Sequence, residues 1–104
     1  MKHYKIILHP VAETELLNIY RGIADIVSPA IALKYISGIR QFIENLETFP
    51  ERGTIKESII PNLRVVGYKR SASIAFTVFD KHVLVLGIFA RGREIHEELL
   101  KSRL

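Results

Sequence analysis

Apolar and polar positions change their period twice along this chain, from strand to helix and back. His3 to Leu8 (HYKIIL) puts Tyr4, Ile6 and Leu8 on one side, which predicts a short strand closed by Pro10. Proline can also open a helix at its first position, where its missing N–H costs nothing. From Val11 to Ile26 the period becomes helical: Ala12, Leu16, Ile19, Tyr20 and Ile23 form an inner stripe, with Glu13, Glu15, Asn18 and Arg21 opposite. Ser28-Pro29 restarts the pattern as an N-cap followed by N1. The second helix is expected to reach about Leu46, with Ala32, Ile36, Ile39, Ile43 and Leu46 inward and Tyr35 and Phe42 widening the stripe.

Phe49-Pro50-Glu51-Arg52-Gly53 is turn chemistry. Thr54 to Asn62 has no clear period, and Ile59-Ile60-Pro61 reads as a loop or an edge segment. Three strands are then predicted, Leu63–Lys69, Ser73–Phe79 and His82–Ala90, joined through Arg70-Ser71-Ala72 and Asp80-Lys81. Such short links imply an antiparallel meander. The last strand is apolar on both faces and should lie centrally, and Ile95 to Leu104 reads as a short charged helix or tail. The order β-α-α-β-β-β predicts an α+β fold, an antiparallel helical hairpin packed on a small, mostly antiparallel sheet.

Composition narrows the class. The 104 residues make one domain, 1–104, and 48% apolar content suffices for one core but not two. There is no cysteine, so no disulfide and no thiolate metal site. No signal peptide or membrane span is visible, and a soluble cytoplasmic domain without membrane partners is the expectation. The net charge of +4 is uneven. Lys2 and Lys5 carry the first +2, residues 10–50 hold three basic against five acidic side chains, and residues 51–104 hold ten against six. A basic half suits an acidic or polyanionic partner.

Cofactor chemistry finds no footing. His3, His9, His82 and His96 are not at metal-ligand spacing, and Gly92 between Arg91 and Arg93 matches no nucleotide-binding fingerprint. Neither a metal nor a small-molecule cofactor is expected. Gly92 accepts backbone angles closed to other residues. It would let the chain turn sharply after VLVLGIFA and carry Arg91 and Arg93 to the sheet edge, beside Arg64, Lys69 and Arg70.

Several segments in order resemble the RelE/ParE superfamily of type II toxin–antitoxin toxins, and most of all its ParE branch. They are the strand into Pro10, Leu16-Leu17-Asn18-Ile19-Tyr20, and Ile43-Glu44-Asn45-Leu46 into Phe49-Pro50-Glu51-Arg52-Gly53. Leu63-Arg64, the IAFTV strand and VLVLGIFARGRE complete the set. The resemblance implies one of two activities: a ParE-like toxin that poisons DNA gyrase, with plasmid stabilisation as the setting, or a RelE-like endoribonuclease that cuts messenger RNA on the ribosome. Either is silenced by a cognate antitoxin. A homologue that has lost its target and only binds is a third reading.

On the RelE pattern, the phosphate-holding arginine falls at Ser73, the early-strand lysine at Arg64, its partner at Val66, and the terminal aromatic at Leu99. The arginine after the last strand is kept as Arg93, leaving Arg64, Arg93 and His96 as weak catalytic candidates. The expectation is therefore a binding toxin. Its target would meet the basic rim of Arg64, Lys69, Arg70, Arg91 and Arg93. Leu17, Ile26, Val27, Ile31 and Leu33 cannot all be internal in so small a domain, and are expected to receive an antitoxin helix.

Overall fold

The computed structural model describes residues 3–56 and 60–104, so Lys2 and Ile59 lie outside the described residues. Strand β1 (Lys5–Leu8) leads into helix α1 (Pro10–Ile26), followed by α2 (Pro29–Glu44) and a 3-10 turn at Asn45–Glu47. Then come β2 (Thr54–Ile55), β3 (Leu63–Tyr68), β4 (Ala72–Phe79), β5 (His82–Ala90) and α3 (Glu97–Lys101). The strands form one five-stranded sheet in the order β1-β5-β4-β3-β2, with β1 parallel to β5 and every other pair antiparallel.

Both long helices start where proline and a capping side chain coincide. His9 Nδ1 accepts from the Val11 N–H at 3.0 Å, and Ser28 Oγ accepts from the Ile31 N–H at 3.1 Å. The hairpin lies on one face of the sheet. Ala12, Leu16, Ile36, Ile39 and Ile43 pack there against Tyr68, Ile74, Phe76, Val83, Val85 and Ile88.

The opposite face holds a second core, which corrects the expectation of a single one. Ile60, Leu63, Ala75, Leu86, Phe89 and Leu100 are buried together there, with Ile95 against them. The cause is a β-bulge: Val85 opposes Phe76 and Gly87 opposes Ala75, so Leu86 is extra. Before it Val83 and Val85 face the hairpin; after it Ile88 does, and Leu86 and Phe89 face away. One inserted residue reverses the alternation, and a strand apolar on both sides fills both layers.

Other boundaries also differ from the sequence reading. Thr54–Ile55 is an edge strand, pairing with Val65 and Arg64, where only an indistinct segment was expected. The first hairpin turns at Lys69-Arg70 with φ of 47° and 55°, and the Ser71 N–H closes it on the Tyr68 carbonyl at 2.9 Å. That is a two-residue connection with both central residues left-handed, which matches the strand twist and leaves Ala72 inside β4. Asp80-Lys81 turns the same way.

Candidate functional site

The basic rim splits in two. Arg64 opposes Phe76 in the β3–β4 ladder, whereas Tyr68, which enters the Lys69–Arg70 turn, opposes Ala72. Four residues of strand, about 13 Å at 3.3 Å per residue, separate Arg64 from that turn. Arg64 lines a different concavity, with Tyr4, Pro50, Glu51, Ile55 and Val78, and is not part of the rim. The other four cations do come together. The Arg91 N–H bonds the Ser71 carbonyl at 2.9 Å, which docks the Arg91–Arg93 turn beside Lys69 and Arg70.

This end of the sheet is firmly built. Ser71 Oγ donates to the Tyr68 carbonyl at 3.1 Å and shares a hydrogen bond with the Tyr35 hydroxyl, tying the turn to α2. Tyr68 is buried edge-on between Tyr35 and Phe42, and Lys69 Nζ lies 5.4 Å from its ring centroid. Gly92, at φ 88°, makes the turn after β5 with open space around it, as its sequence position anticipated. Arg93 borders a shallow cavity with Glu15, Asn18, Ile19 and Phe89.

Glu15, read from the sequence as a solvent-face residue, is instead the centre of a polar junction. Its Oε1 accepts from the Ile88 N–H at 3.1 Å and from Arg103 Nη1 at 2.9 Å, while Oε2 accepts from Arg103 Nη2 at 3.3 Å. Arg103 Nη1 also donates to the Leu86 carbonyl at 2.7 Å. The reason is topological. β1 pairs with β5 only as far as Val85, so β5 beyond it lacks that neighbour. Glu15 and Arg103 satisfy backbone groups of the bulged stretch that no strand reaches. No sequence period pointed to either residue.

The three catalytic candidates do not converge. Arg64 shares the hairpin-side face of β3 with Val66 and Tyr68, which belong to that core. Arg93 follows β5 at the other end of the sheet, and exposed His96 stands at the N-cap position of α3 without a side-chain capping bond, its Nε2 3.5 Å from Glu94 Oε2. Ser73, the position of the missing phosphate arginine, alternates with Ala72 and Ile74 and so faces away from Arg64.

The five apolar residues assigned to a partner are all exposed, and Ile26 is the extreme at 86%. They occupy two places. Leu17 lines a groove of about 390 Å³ between α1 and α2, with Leu16, Tyr20 and Ile36 as its other apolar walls. Arg40 closes one end by a bidentate pair to Glu13 at 2.9 and 3.3 Å. The Glu13 hydrogen bond holds the guanidinium above its ordinary pKa, with burial opposing. Leu33 lies one helical turn before Ile36, whereas Ile26, Val27 and Ile31 surround the hairpin tip. No described helix is long and apolar enough to cross a membrane.

A helical hairpin on one face of a mixed five-stranded sheet, with a short C-terminal helix on the other, is shared with solved toxin structures. The chromosomal ParDE toxin–antitoxin system from P. aeruginosa superposes with a TM-score of 0.74 at 23% identity, over 86% of this chain and 97% of that one. The RelBE2 toxin–antitoxin complex from Mycobacterium tuberculosis gives 0.63 at 15%, over 86% and 99%. The isolated E. coli RelE toxin gives 0.53 at 18%, over 97% and 99%. No curated protein sequence matches the chain. The family model for the ParE toxin of type II toxin–antitoxin systems matches residues 6–95, and the chain belongs to that family.

Proposed function

We propose that this toxin arrests growth by binding DNA gyrase, not by cutting RNA, and that a cognate antitoxin neutralises it. The observation that carries the reading is the ParE family match across residues 6–95. The dispersal of Arg64, Arg93 and His96 supports it. Phosphodiester cleavage needs a base, an acid and cations converging within hydrogen-bond reach of one phosphate, and these three lie on different faces and ends of the sheet. The target contact is the cationic end formed by Lys69, Arg70, Arg91 and Arg93. The antitoxin contact is the hairpin groove lined by Leu17, Tyr20 and Ile36, with exposed Leu33 one helical turn before Ile36, where an amphipathic helix buries its apolar face. That RelBE2 and ParDE structures contain toxin–antitoxin pairs supports such a partner.

The test is induced expression without antitoxin, scored for growth, DNA-damage signalling and transcript integrity, with supercoiling by purified gyrase measured alongside. Arrest with DNA damage, intact transcripts and inhibited supercoiling is the expected result. Cleaved transcripts without DNA damage would replace this reading with the RelE-like one, and normal growth with antitoxin binding retained would make the chain a binding partner only.

A further inference from the structure

Among the described strand residues, Arg64 is the one side chain with a full charge at neutral pH that faces the hairpin. It alternates with Val66 and Tyr68 of that core, whereas Lys5 precedes Ile6, which packs there, and so faces away. Ile55 stands opposite Arg64 on one side and Phe76 on the other. Arg64 is half-buried, yet among the described residues it makes no ion pair and no side-chain hydrogen bond. A guanidinium offers five donors and accepts nothing. Held against apolar walls without an acceptor, it weakens the fold unless an anion completes it.

The surroundings select the anion. Arg64 lines a concavity of about 190 Å³ whose walls include Tyr4, Pro50, Ile55, Val78 and Glu51. An adjoining concavity of about 300 Å³ shares Tyr4, Pro50 and Glu51 and adds Phe49. Glu51 pairs with neither Arg64 nor Arg52. The Arg52 guanidinium lies instead 5.8 Å from the ring centroids of both Phe42 and Phe49, which, with buried Pro50, fixes this loop. A cation and a carboxylate thus share one small concavity without neutralising each other. A phosphate or polyanion drawn to Arg64 is repelled by Glu51. An α-amino acid carries both complementary charges on one carbon. Pockets for drug-sized ligands run to about 300–1,000 Å³, so the smaller space here suits an amino acid better than a nucleotide.

We propose that the concavity between Arg64 and Glu51 binds a free α-amino acid with an apolar side chain. The Arg64 fork holds the carboxylate bidentately, Glu51 accepts from the ammonium, and the side chain lies against Tyr4 and toward Phe49. The site stands at the opposite end of β3 from the Lys69–Arg70 turn and is separate from the target and antitoxin contacts proposed above. A bound amino acid bridges the loop at Glu51 to β3 and stabilises the folded chain by mass action.

The test is an NMR titration of the whole isotope-labelled chain with L-phenylalanine and, separately, L-leucine. At least one should bind with a Kd below about 1 mM, shift amides around Arg64 and Glu51, and raise the melting temperature. Phenylalaninamide lacks the carboxylate and N-acetylphenylalanine lacks the ammonium, so each should bind about tenfold more weakly or worse. The variants assign the two groups. Arg64→Gln should weaken phenylalanine about tenfold and leave phenylalaninamide unchanged, and Glu51→Gln should weaken phenylalanine and leave N-acetylphenylalanine unchanged. Lys101→Gln, an exposed change on α3, should alter none of these. Thermal melting confirms that each variant is folded, and Arg64→Lys, which keeps the charge but loses the fork, serves if Arg64→Gln does not fold. N-acetylphenylalanine binding as tightly as phenylalanine would overturn the free amino acid in favour of a peptide C-terminus. Tighter binding of inorganic phosphate would overturn the carboxylate. No shift with either amino acid at about 10 mM would overturn the site itself.

Discussion

Arg103 grips Glu15 through two guanidinium–carboxylate bonds of 2.9 and 3.3 Å, joining residues 88 positions apart in sequence. The arginine side chain is only 6% exposed, and its remaining reach is used on the Leu86 carbonyl. The pair fastens the C-terminal helix, the first helix and the bulge of β5 at one point. Removing one partner of such a pair leaves an uncompensated charge, which typically costs about 3–5 kcal/mol. Arg103→Ala is thus expected to lower unfolding free energy by about 3 kcal/mol, read as a lower urea midpoint at unchanged slope. Arg103→Lys, with its charge but not its fork, should fall between. A change below about 0.5 kcal/mol in the alanine variant would show the junction to be incidental.

Gly53 and Gly92 both have positive φ, but only one is enclosed. A Cβ at Gly53, φ 77°, would come within 2.2 Å of the Val65 carbonyl oxygen, a backbone atom that cannot swing aside. A Cβ at Gly92, φ 88°, would meet nothing within 4 Å. Gly92→Ala is expected to cost about 1–2 kcal/mol from backbone strain alone. Gly53→Ala should cost more than that and release β2 from β3, seen as lost amide protection near Thr54 and Ile55. Equal melting temperatures for the two variants would refute the distinction.

Arg70 holds a left-handed backbone, φ 55°, at a position where hairpin turns favour glycine. Relief of that strain means Arg70→Gly should raise stability by about 1 kcal/mol while weakening gyrase inhibition, since it removes one cation of the proposed target contact. Thermal melting and a supercoiling assay on one sample check both signs. A variant that loses stability would show that the arginine side chain anchors the turn instead of merely standing on it.

Leu17 lines the α1–α2 groove, whereas Ile26 stands on the hairpin tip. If the antitoxin helix lies in the groove, Leu17→Asp should weaken the complex at least tenfold, about 1.4 kcal/mol, in calorimetric titration. Ile26→Asp should have a smaller effect. The reverse ranking would move the docking surface to the tip.

The helices and the meander were legible because each leaves a repeated signature. Pro10 and Ser28-Pro29 mark starts, and the stripes from Ala12 and Ala32 run for several turns. β2 was not legible because two residues, Thr54 and Ile55, are too few to show alternation. Nor was the bulge, since in VLVLGIFA both faces are apolar and a reversed alternation looks like no alternation. The gathering of Arg91 and Arg93 with Lys69 and Arg70 followed from hairpin geometry. Arg64 was misplaced because it lies near the start of β3 while the turn follows its end, and four residues of strand set them apart. Glu15 was misread because a carboxylate two residues from Glu13 looks solvated until its distant arginine is known.

The Glu15–Arg103 junction also sets an order of events during synthesis. The α1–α2 hairpin is local and needs only its first 44 residues to leave the ribosome, whereas the guanidinium that engages Glu15 is made 88 positions later. Contacts of such separation close late, because the intervening chain must be ordered first. A newly made hairpin therefore shows bare carboxylate and an uncovered apolar face while β2 to β5 are being translated. The sheet strands cover that apolar face as they form, but the Glu15 carboxylate waits for its partner until residue 103 has been made.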